Sequence, residues 1–168
     1  MNPNFTVTVG DVDKAIAIMR EVAQWCMDTG KKTWSLDELT KEKLTNSLNA
    51  GNFITGNIDG DPACCMILQW IDPLFWPEAP EYEAGYVHKL CVKREFAGMN
   101  LSAKMIAFAA EECRLRNVPY LRLDTGLYKQ KLCSIYENLG FTKVGETTNH
   151  RGEFALYEKK TITIHLEN

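Results

Sequence analysis

No run of apolar residues in this 168-residue chain approaches the roughly 20 that a membrane-spanning helix needs. The opening residues Met1, Asn2, Pro3, Asn4 and Phe5 have neither the basic nor the apolar region of a secretory signal. Cationic excess is absent too. The net charge is −3, so nothing drives the whole chain toward nucleic acid or an anionic membrane, and neither is expected as a partner. Histidine is scarce: His88, His150 and His165, none beside a cysteine pair. His88 and Cys91 alone fall short of a ligand set, so no metal is expected. The six cysteines (Cys26, Cys64, Cys65, Cys91, Cys113 and Cys133) have no C-x-x-C spacing. They read as reduced packing residues of a cytoplasmic protein. Neither G-x-G-x-x-G nor G-x-x-x-x-G-K-[ST] occurs, which argues against a nucleotide-binding α/β domain.

The composition, 45% apolar and 24% charged, is that of a folded chain. With no long polar linker, residues 1–168 are expected to form a single domain, long enough to bury a core without disulfides. Residues 5–9 alternate as a first or edge strand. Asp11 is placed to cap a helix whose apolar face is Val12, Ile16, Met19, Ala23 and Cys26, and Gly30 ends it. Ser35 with Glu38 forms a capping box, and Trp34 with Leu39 a hydrophobic staple. The pattern predicts a second helix from there to about Asn49, closed by Ala50 and Gly51. Residues 53–58 and 63–71 read as strands joined by a hairpin at Asp59 and Gly60. The second strand is apolar on both faces: Cys64, Met66, Leu68 and Trp70 on one, Ala63, Cys65, Ile67 and Ile71 on the other. A strand of that kind is covered on both sides, so helices should flank the sheet.

Residues 72–82 form a loop punctuated by Pro73, Pro77 and Pro80. Phe75, Trp76 and Tyr82 lie there beside Glu78, Glu81 and Glu83. Two readings stand: the aromatics fold back on the core, or the loop is a lid whose carboxylates favour a cationic amine. Residues 86–92 read as a buried strand and 97–102 as a turn of mostly small residues. A helix follows to about Asn117, stopped by Val118 and Pro119. A helix opening on such a turn presents unpaired N–H groups and the positive end of its dipole, an arrangement suited to phosphate. The same strand-turn-helix unit also occurs without any ligand. Beyond it come a strand at 120–124, a short helix at 131–138, and a final strand pair at 141–146 and 154–159 around the turn 149–152. Residues 161–165 either extend the edge or form a tail.

The turn at 97–102, the strand beginning at Tyr120, and the run Tyr136, Gly140, Phe141 together resemble the conserved motifs of the GNAT superfamily (Gcn5-related N-acetyltransferases). The resemblance covers roughly residues 86–145. It implies an α/β fold, the GNAT fold: a mixed, mostly antiparallel sheet of six to seven strands, helices on both faces, and a splay between the central strands. Acetyl-CoA would be the co-substrate, with no metal. Its pyrophosphate would be held by the backbone of Ala97, Gly98, Met99, Asn100, Leu101 and Ser102. Its pantetheine arm would pair with Leu90, Cys91 and Val92 as an added strand does. The turn departs from the family pattern. Ala97 stands where Arg or Gln is usual, Asn100 replaces the middle glycine and Ser102 the last, while Gly98 is kept. Asn tolerates left-handed backbone angles better than most residues, and Ser102 is small. Lys93, Arg94 and Lys104 lie nearby, either as phosphate-facing charges or as solvated surface cations. Lys129 stands where an Asn is usual and could reach a CoA phosphate.

By the same resemblance, Tyr136 is the general acid toward the leaving thiolate. A thiol has a pKa near ~8.5 and a phenol near ~10, so Tyr136 serves best by hydrogen-bonding developing charge. The family often places a glutamate base at the position that is Tyr86 here. His88, two residues on, shares that strand face, and its pKa near ~6.5 suits a base at neutral pH. Glu83 is the other candidate base, and a purely structural His88 is the competing reading. Asp124 would orient His88 or an arginine, or simply cap its strand. Cys91 is read as packing, because this family transfers the acyl group directly. The implied activity is transfer of acetyl from acetyl-CoA to a primary amine. Small-molecule amines, peptide N-termini and protein lysines all stay open as acceptors. The acidic, aromatic loop favours a small-molecule amine. The alternative is a non-catalytic acyl-CoA-binding or regulatory module, from which the retained Tyr136 distinguishes an enzyme. Homodimers are frequent in families of this kind.

Overall fold

A computed structural model describes residues 2–162. Along them run β1 (Phe5–Val9), α1 (Val12–Asp28), α2 (Lys41–Leu44), β2 (Phe53–Ile58), β3 (Asp61–Gln69), β4 (Ala84–Val92), α3 (Leu101–Leu115), β5 (Tyr120–Gly126), α4 (Gln130–Asn138), β6 (Thr142–Asn149) and β7 (Gly152–Lys160). The seven strands form one open sheet of order β1-β2-β3-β4-β5-β7-β6. The ladders β1–β2, β2–β3, β5–β7 and β6–β7 are antiparallel, whereas β4 and β5 are parallel. A parallel pair needs a crossover, and α3 lies in the connection between those two strands. This is the mixed, mostly antiparallel α/β sheet that the sequence implied. By internal contacts the chain forms two compact groups. One takes in residues 2–68 together with Lys89–Met105; the other takes Gln69–His88 and residues 106–162.

In the first group, Asp11 caps α1 as expected: its carboxylate accepts from the Lys14 N–H at 3.1 Å. Gly30 takes φ +71 where the helix stops, and the Lys31 N–H closes back onto the Cys26 carbonyl at 2.7 Å. The buried face of α1, Ala15, Ile18, Met19 and Ala23, packs with Leu39, Phe53, Cys65 and Ile67. Complete burial of an Ile or Leu side chain contributes about 1.5–3 kcal/mol. The hairpin forms at Asp59 and Gly60, with φ of +50 and +86, as a two-residue turn of positive φ demands. Both faces of β3 are buried from Ala63 to Leu68. Gly56, beside a bulge in β2, has no alternative: a Cβ there would lie 2.5 Å from Cys64 Sγ.

The predicted second helix is broken up. Ser35 does cap a turn, but only the 3₁₀ turn Leu36–Glu38 follows. The chain then extends at Thr40, whose hydroxyl caps the four-residue α2. A further 3₁₀ turn, Ala50–Asn52, leads into β2. The cause is tertiary. Arg20 Nη1, on α1, takes the carbonyls of Leu36 and Leu39 at 2.9 and 3.1 Å. Leu36 O accepts the Leu39 N–H as well, so the arginine fixes the short turn in place.

In the second group, β5 lies between β4 and β7 and buries Leu121 and Leu123. Asn117 takes φ +56, and the Val118 N–H returns to the Cys113 carbonyl at 2.9 Å, ending α3. The final strands are longer than the alternation suggested, with a bulge in β6 between Lys143 and Gly145. Thr161 donates its N–H to Pro119 O and its hydroxyl to Val118 O, tying down the chain after β7. Residues 163–165 of the expected edge or tail lie outside the described residues. None of the described helices is long and apolar enough to cross a membrane.

Candidate active site

The parallel register of β4 on β5 builds the site. Tyr86 pairs with Arg122 and Val87 with Leu123, so continuing the same offset sets His88 abreast of Asp124. His88 Nδ1 lies 3.5 Å from Asp124 Oδ1. The other ring nitrogen is met from the loop after β3: His88 Nε2 is 2.8 Å from Asp72 Oδ2. Asp72 is held by its own loop. Its Oδ1 accepts from the Phe75 N–H at 3.2 Å, and its carbonyl accepts from the Trp76 N–H at 2.9 Å. The side chains of Asp72, Asp124 and His88 are 6%, 11% and 21% exposed. Phe75 covers the group, 6.1 Å from the His88 ring and edge-on to Phe154 at 5.0 Å. Charge-assisted hydrogen bonds in so dry a setting are stronger than exposed ones. Ligand atoms of the three residues lie within 4.8 Å of one another, close enough to consider a metal ion. The two carboxylates lie nearest different nitrogens of the ring.

Two residues back on each strand, a second cluster shares the face. Arg122 is 8% exposed. Its Nη1 donates to Glu83 Oε2 at 2.7 Å and to the Tyr86 hydroxyl at 3.1 Å, and its Nε to Glu158 Oε2 at 2.9 Å. The guanidinium also lies near the rings of Tyr120, Trp76 and Tyr86. Burial disfavours its charge, but the hydrogen bonds to Glu83, Glu158 and Tyr86 outweigh burial and raise its pKa further. The Tyr86 phenol is pushed up by burial, against the opposing pull of Arg122. Glu83 is therefore engaged with Arg122.

The aromatics of the 72–82 loop divide. Phe75 is buried, Trp76 packs 5.3 Å from the Tyr86 ring, and Tyr82 is exposed, stacked on Trp70 at 6.0 Å. Tyr136, on α4, stands edge-on to Phe141 at 6.1 Å and tilted to Tyr157 at 6.4 Å. Gly140 takes φ +92 between them, and the Phe141 N–H returns to the Tyr136 carbonyl. Lys129 immediately precedes α4, with Nζ 5.8 Å from the Tyr128 ring centre.

The turn ahead of α3 keeps an open backbone despite its lost glycines. Gly98 has φ +83 and Asn100 φ +60, so asparagine supplies the left-handed angle where the family usually has glycine. A Cβ placed on Gly98 would touch nothing. The Lys104 N–H makes the first helical bond, to Asn100 O at 3.3 Å, so Leu101, Ser102 and Ala103 have no acceptor within the helix. This backbone fits a phosphate group. Ala97 is extended, and Met99 is half-buried. Of the nearby cations, Arg94 rests on the Trp25 ring at 4.3 Å and Lys104 is 5.3 Å from Phe5. Leu90, Cys91 and Val92 complete β4 just after Lys89, whose φ of +51 is unusual within a strand. Cys91 Sγ lies 3.6 Å from Cys65 Sγ, both thiols free.

Asp72, Arg122 and Glu158 join the candidate site through these contacts, and the sequence did not single them out. A local signal existed for Asp72 alone: an acidic residue before Pro73, with a loop N–H three residues on to cap.

A sheet with a parallel central pair, a left-handed turn opening a helix, and a Tyr-x-x-x-Gly-Phe helix end are the marks of an acyltransferase fold. The sequence matches the acetyltransferase (GNAT) family over residues 17–141, most of its length, and the protein belongs to that family. It is 26% identical over 157 residues to YesJ, an uncharacterized N-acetyltransferase of Bacillus subtilis (strain 168), covering 89% of this chain and 85% of YesJ. Its structure is similar to that of a GNAT-family acetyltransferase from Listeria monocytogenes 4b F2365, with a TM-score of 0.73 and 26% identity over 95% of this chain and 99% of that one. The PaiA N-acetyltransferase of Thermoplasma acidophilum, solved in complex with coenzyme A, gives a TM-score of 0.69 over 95% of this chain and 99% of its own. At 17% identity that likeness is one of fold.

Proposed function

We propose that this protein is an acetyl-CoA-dependent N-acetyltransferase acting on a primary amine, with a small-molecule amine as the favoured acceptor. The observation that carries this reading is the imidazole of His88 set between two carboxylates, in a member of a family of acetyltransferases. An ammonium acceptor must lose a proton before it can attack, and a buried imidazole with flanking carboxylates is suited to take it. The neutral amine then forms the C–N bond to the thioester carbonyl as the C–S bond breaks. The second proton lost from the amine balances the one gained by the leaving thiolate, toward which Tyr136 offers its hydroxyl. The backbone of Ala97, Gly98, Met99, Asn100, Leu101 and Ser102 takes the pyrophosphate of acetyl-CoA. Leu90, Cys91 and Val92 take the pantetheine amides, and Lys129 a phosphate. His88 is preferred to Glu83 as the base because Glu83 is committed to Arg122. Calorimetric titration with acetyl-CoA, CoA and ATP tests the cofactor assignment: the first two bind and ATP does not. A screen of primary amines read by release of free thiol then identifies the acceptor. No heat with acetyl-CoA or CoA at millimolar concentration would overturn the reading.

A further inference from the structure

We propose that Asp72 is the positioning residue of the site. It holds His88 in the tautomer with its proton on Nε2, which leaves Nδ1, the nitrogen facing Asp124, as the atom that takes a proton from the acceptor's ammonium group. The transfer step rests on the N-acetyltransferase reading; the tautomer does not. An ionised carboxylate can only accept, so the Nε2–Oδ2 contact of 2.8 Å requires the hydrogen on Nε2. The neutral ring then has its lone pair on Nδ1. Asp124 Oδ1, 3.5 Å away, adds negative charge near that nitrogen. The groups facing the ring are Asp72 from the loop, Asp124 from β5 and the uncharged Phe75. Arg122, Glu83 and Tyr86 form the next charged cluster. The proton balance is simple. The ammonium N–H bond breaks, its electron pair stays on nitrogen for attack on the thioester, and Nδ1 gains the proton. The resulting imidazolium lies between two carboxylates, and the proton passes to solvent after turnover.

The loop geometry makes one substitution diagnostic. Oδ1 of Asp72 is already fixed as acceptor of the Phe75 N–H at 3.2 Å. In Asp72→Asn the amide oxygen keeps that bond, and the NH2 group turns toward Nε2. Nε2 must then accept, and the ring proton moves to Nδ1, where it blocks the lone pair. Long-range 1H–15N correlation spectra of histidine-labelled protein at alkaline pH read this directly, with His88→Gln assigning the signal. The expected result is a pyridine-like Nδ1 in the wild type and a pyridine-like Nε2 in Asp72→Asn, with the thermal melt of the variant near that of the wild type. With the amine found in the acceptor screen, kcat of Asp72→Asn falls on the order of a hundredfold, the scale of a lost general base, while acetyl-CoA still binds. A wild-type ring protonated on Nδ1, or the same tautomer in both proteins, overturns the proposal. An inverted tautomer with unchanged kcat overturns the role in transfer. Absence of acetyl-CoA binding by the wild type defeats the enzyme reading instead, and leaves the tautomer result to decide the role of Asp72. Should Asp72→Asn fail to fold, Asp72→Glu, which keeps an accepting carboxylate, is expected to keep the Nε2–H tautomer, and a reversed one overturns the proposal.

Discussion

Arg122 Nη1 and Glu83 Oε2 meet at 2.7 Å across 39 residues of chain, and this contact commits Glu83 to the arginine. Glu83 neutralises a buried guanidinium, while His88 stands in its own carboxylate pair. His88→Gln is therefore expected to lower kcat on the order of a hundredfold with the fold intact. Glu83→Gln is expected to act mainly on stability, costing about 1–2 kcal/mol. That figure is modest because Glu83 is 38% exposed and Glu158 still holds Arg122. Steady-state kinetics beside urea unfolding of both variants separates the effects. A larger kcat loss in Glu83→Gln than in His88→Gln would reverse the assignment.

Tyr136 packs by its ring against Phe141 and Tyr157, contacts that phenylalanine reproduces. Tyr136→Phe should bind acetyl-CoA with unchanged heat and lose kcat by about tenfold to a hundredfold. Full turnover in this variant would remove the hydroxyl from the mechanism.

The open turn before α3 depends on two left-handed residues. Gly98→Val forces a β-branched side chain into φ +83, where L-residues are disfavoured by roughly 1–2 kcal/mol. Relaxation of the turn should weaken acetyl-CoA binding in calorimetry more than it lowers the melting temperature. Asn100→Gly accepts φ +60 without strain and restores the family's usual residue, so its affinity should equal or exceed that of the wild type. Weaker binding by Asn100→Gly than by Gly98→Val would disconnect the turn from CoA.

Buried thiols make stability fall at high pH. Burial pushes the Cys64 thiol from 9.0 up to about 12, against the opposing hydrogen bond with the Gly56 backbone, and the Cys113 thiol up to about 11. Burial also raises Tyr86 and Tyr157. Unfolding exposes these groups, which then ionise at their ordinary values, so the folded state binds more protons in this range. Their stabilising contribution is complete below about pH 9 and declines as pH rises toward 11 and 12. Urea-unfolding free energies across that window should decrease, and Cys64→Ala should flatten the slope. An unchanged slope in Cys64→Ala would mean that its thiol is not responsible.

The local elements were legible in the sequence because their causes are local. Asp11 caps the helix that follows it, Asp59 and Gly60 turn the hairpin they occupy, and the small residues after Phe96 open α3. Spacing of apolar residues marked the strands, since period and burial express the same geometry. The resemblance around Gly98 and Tyr136 led to the family, now shown by the match over residues 17–141. Tertiary structure decided the rest. The side chain of Arg20 reached across from α1 to the carbonyls of Leu36 and Leu39 and fixed the short turn there. The register of β4 on β5 brought His88 to Asp124 and Tyr86 to Arg122. The path of a proline-punctuated loop delivered Asp72 to His88 across 16 residues. Side-chain partners that distant depend on strand register and loop closure, which no window of neighbouring residues encodes.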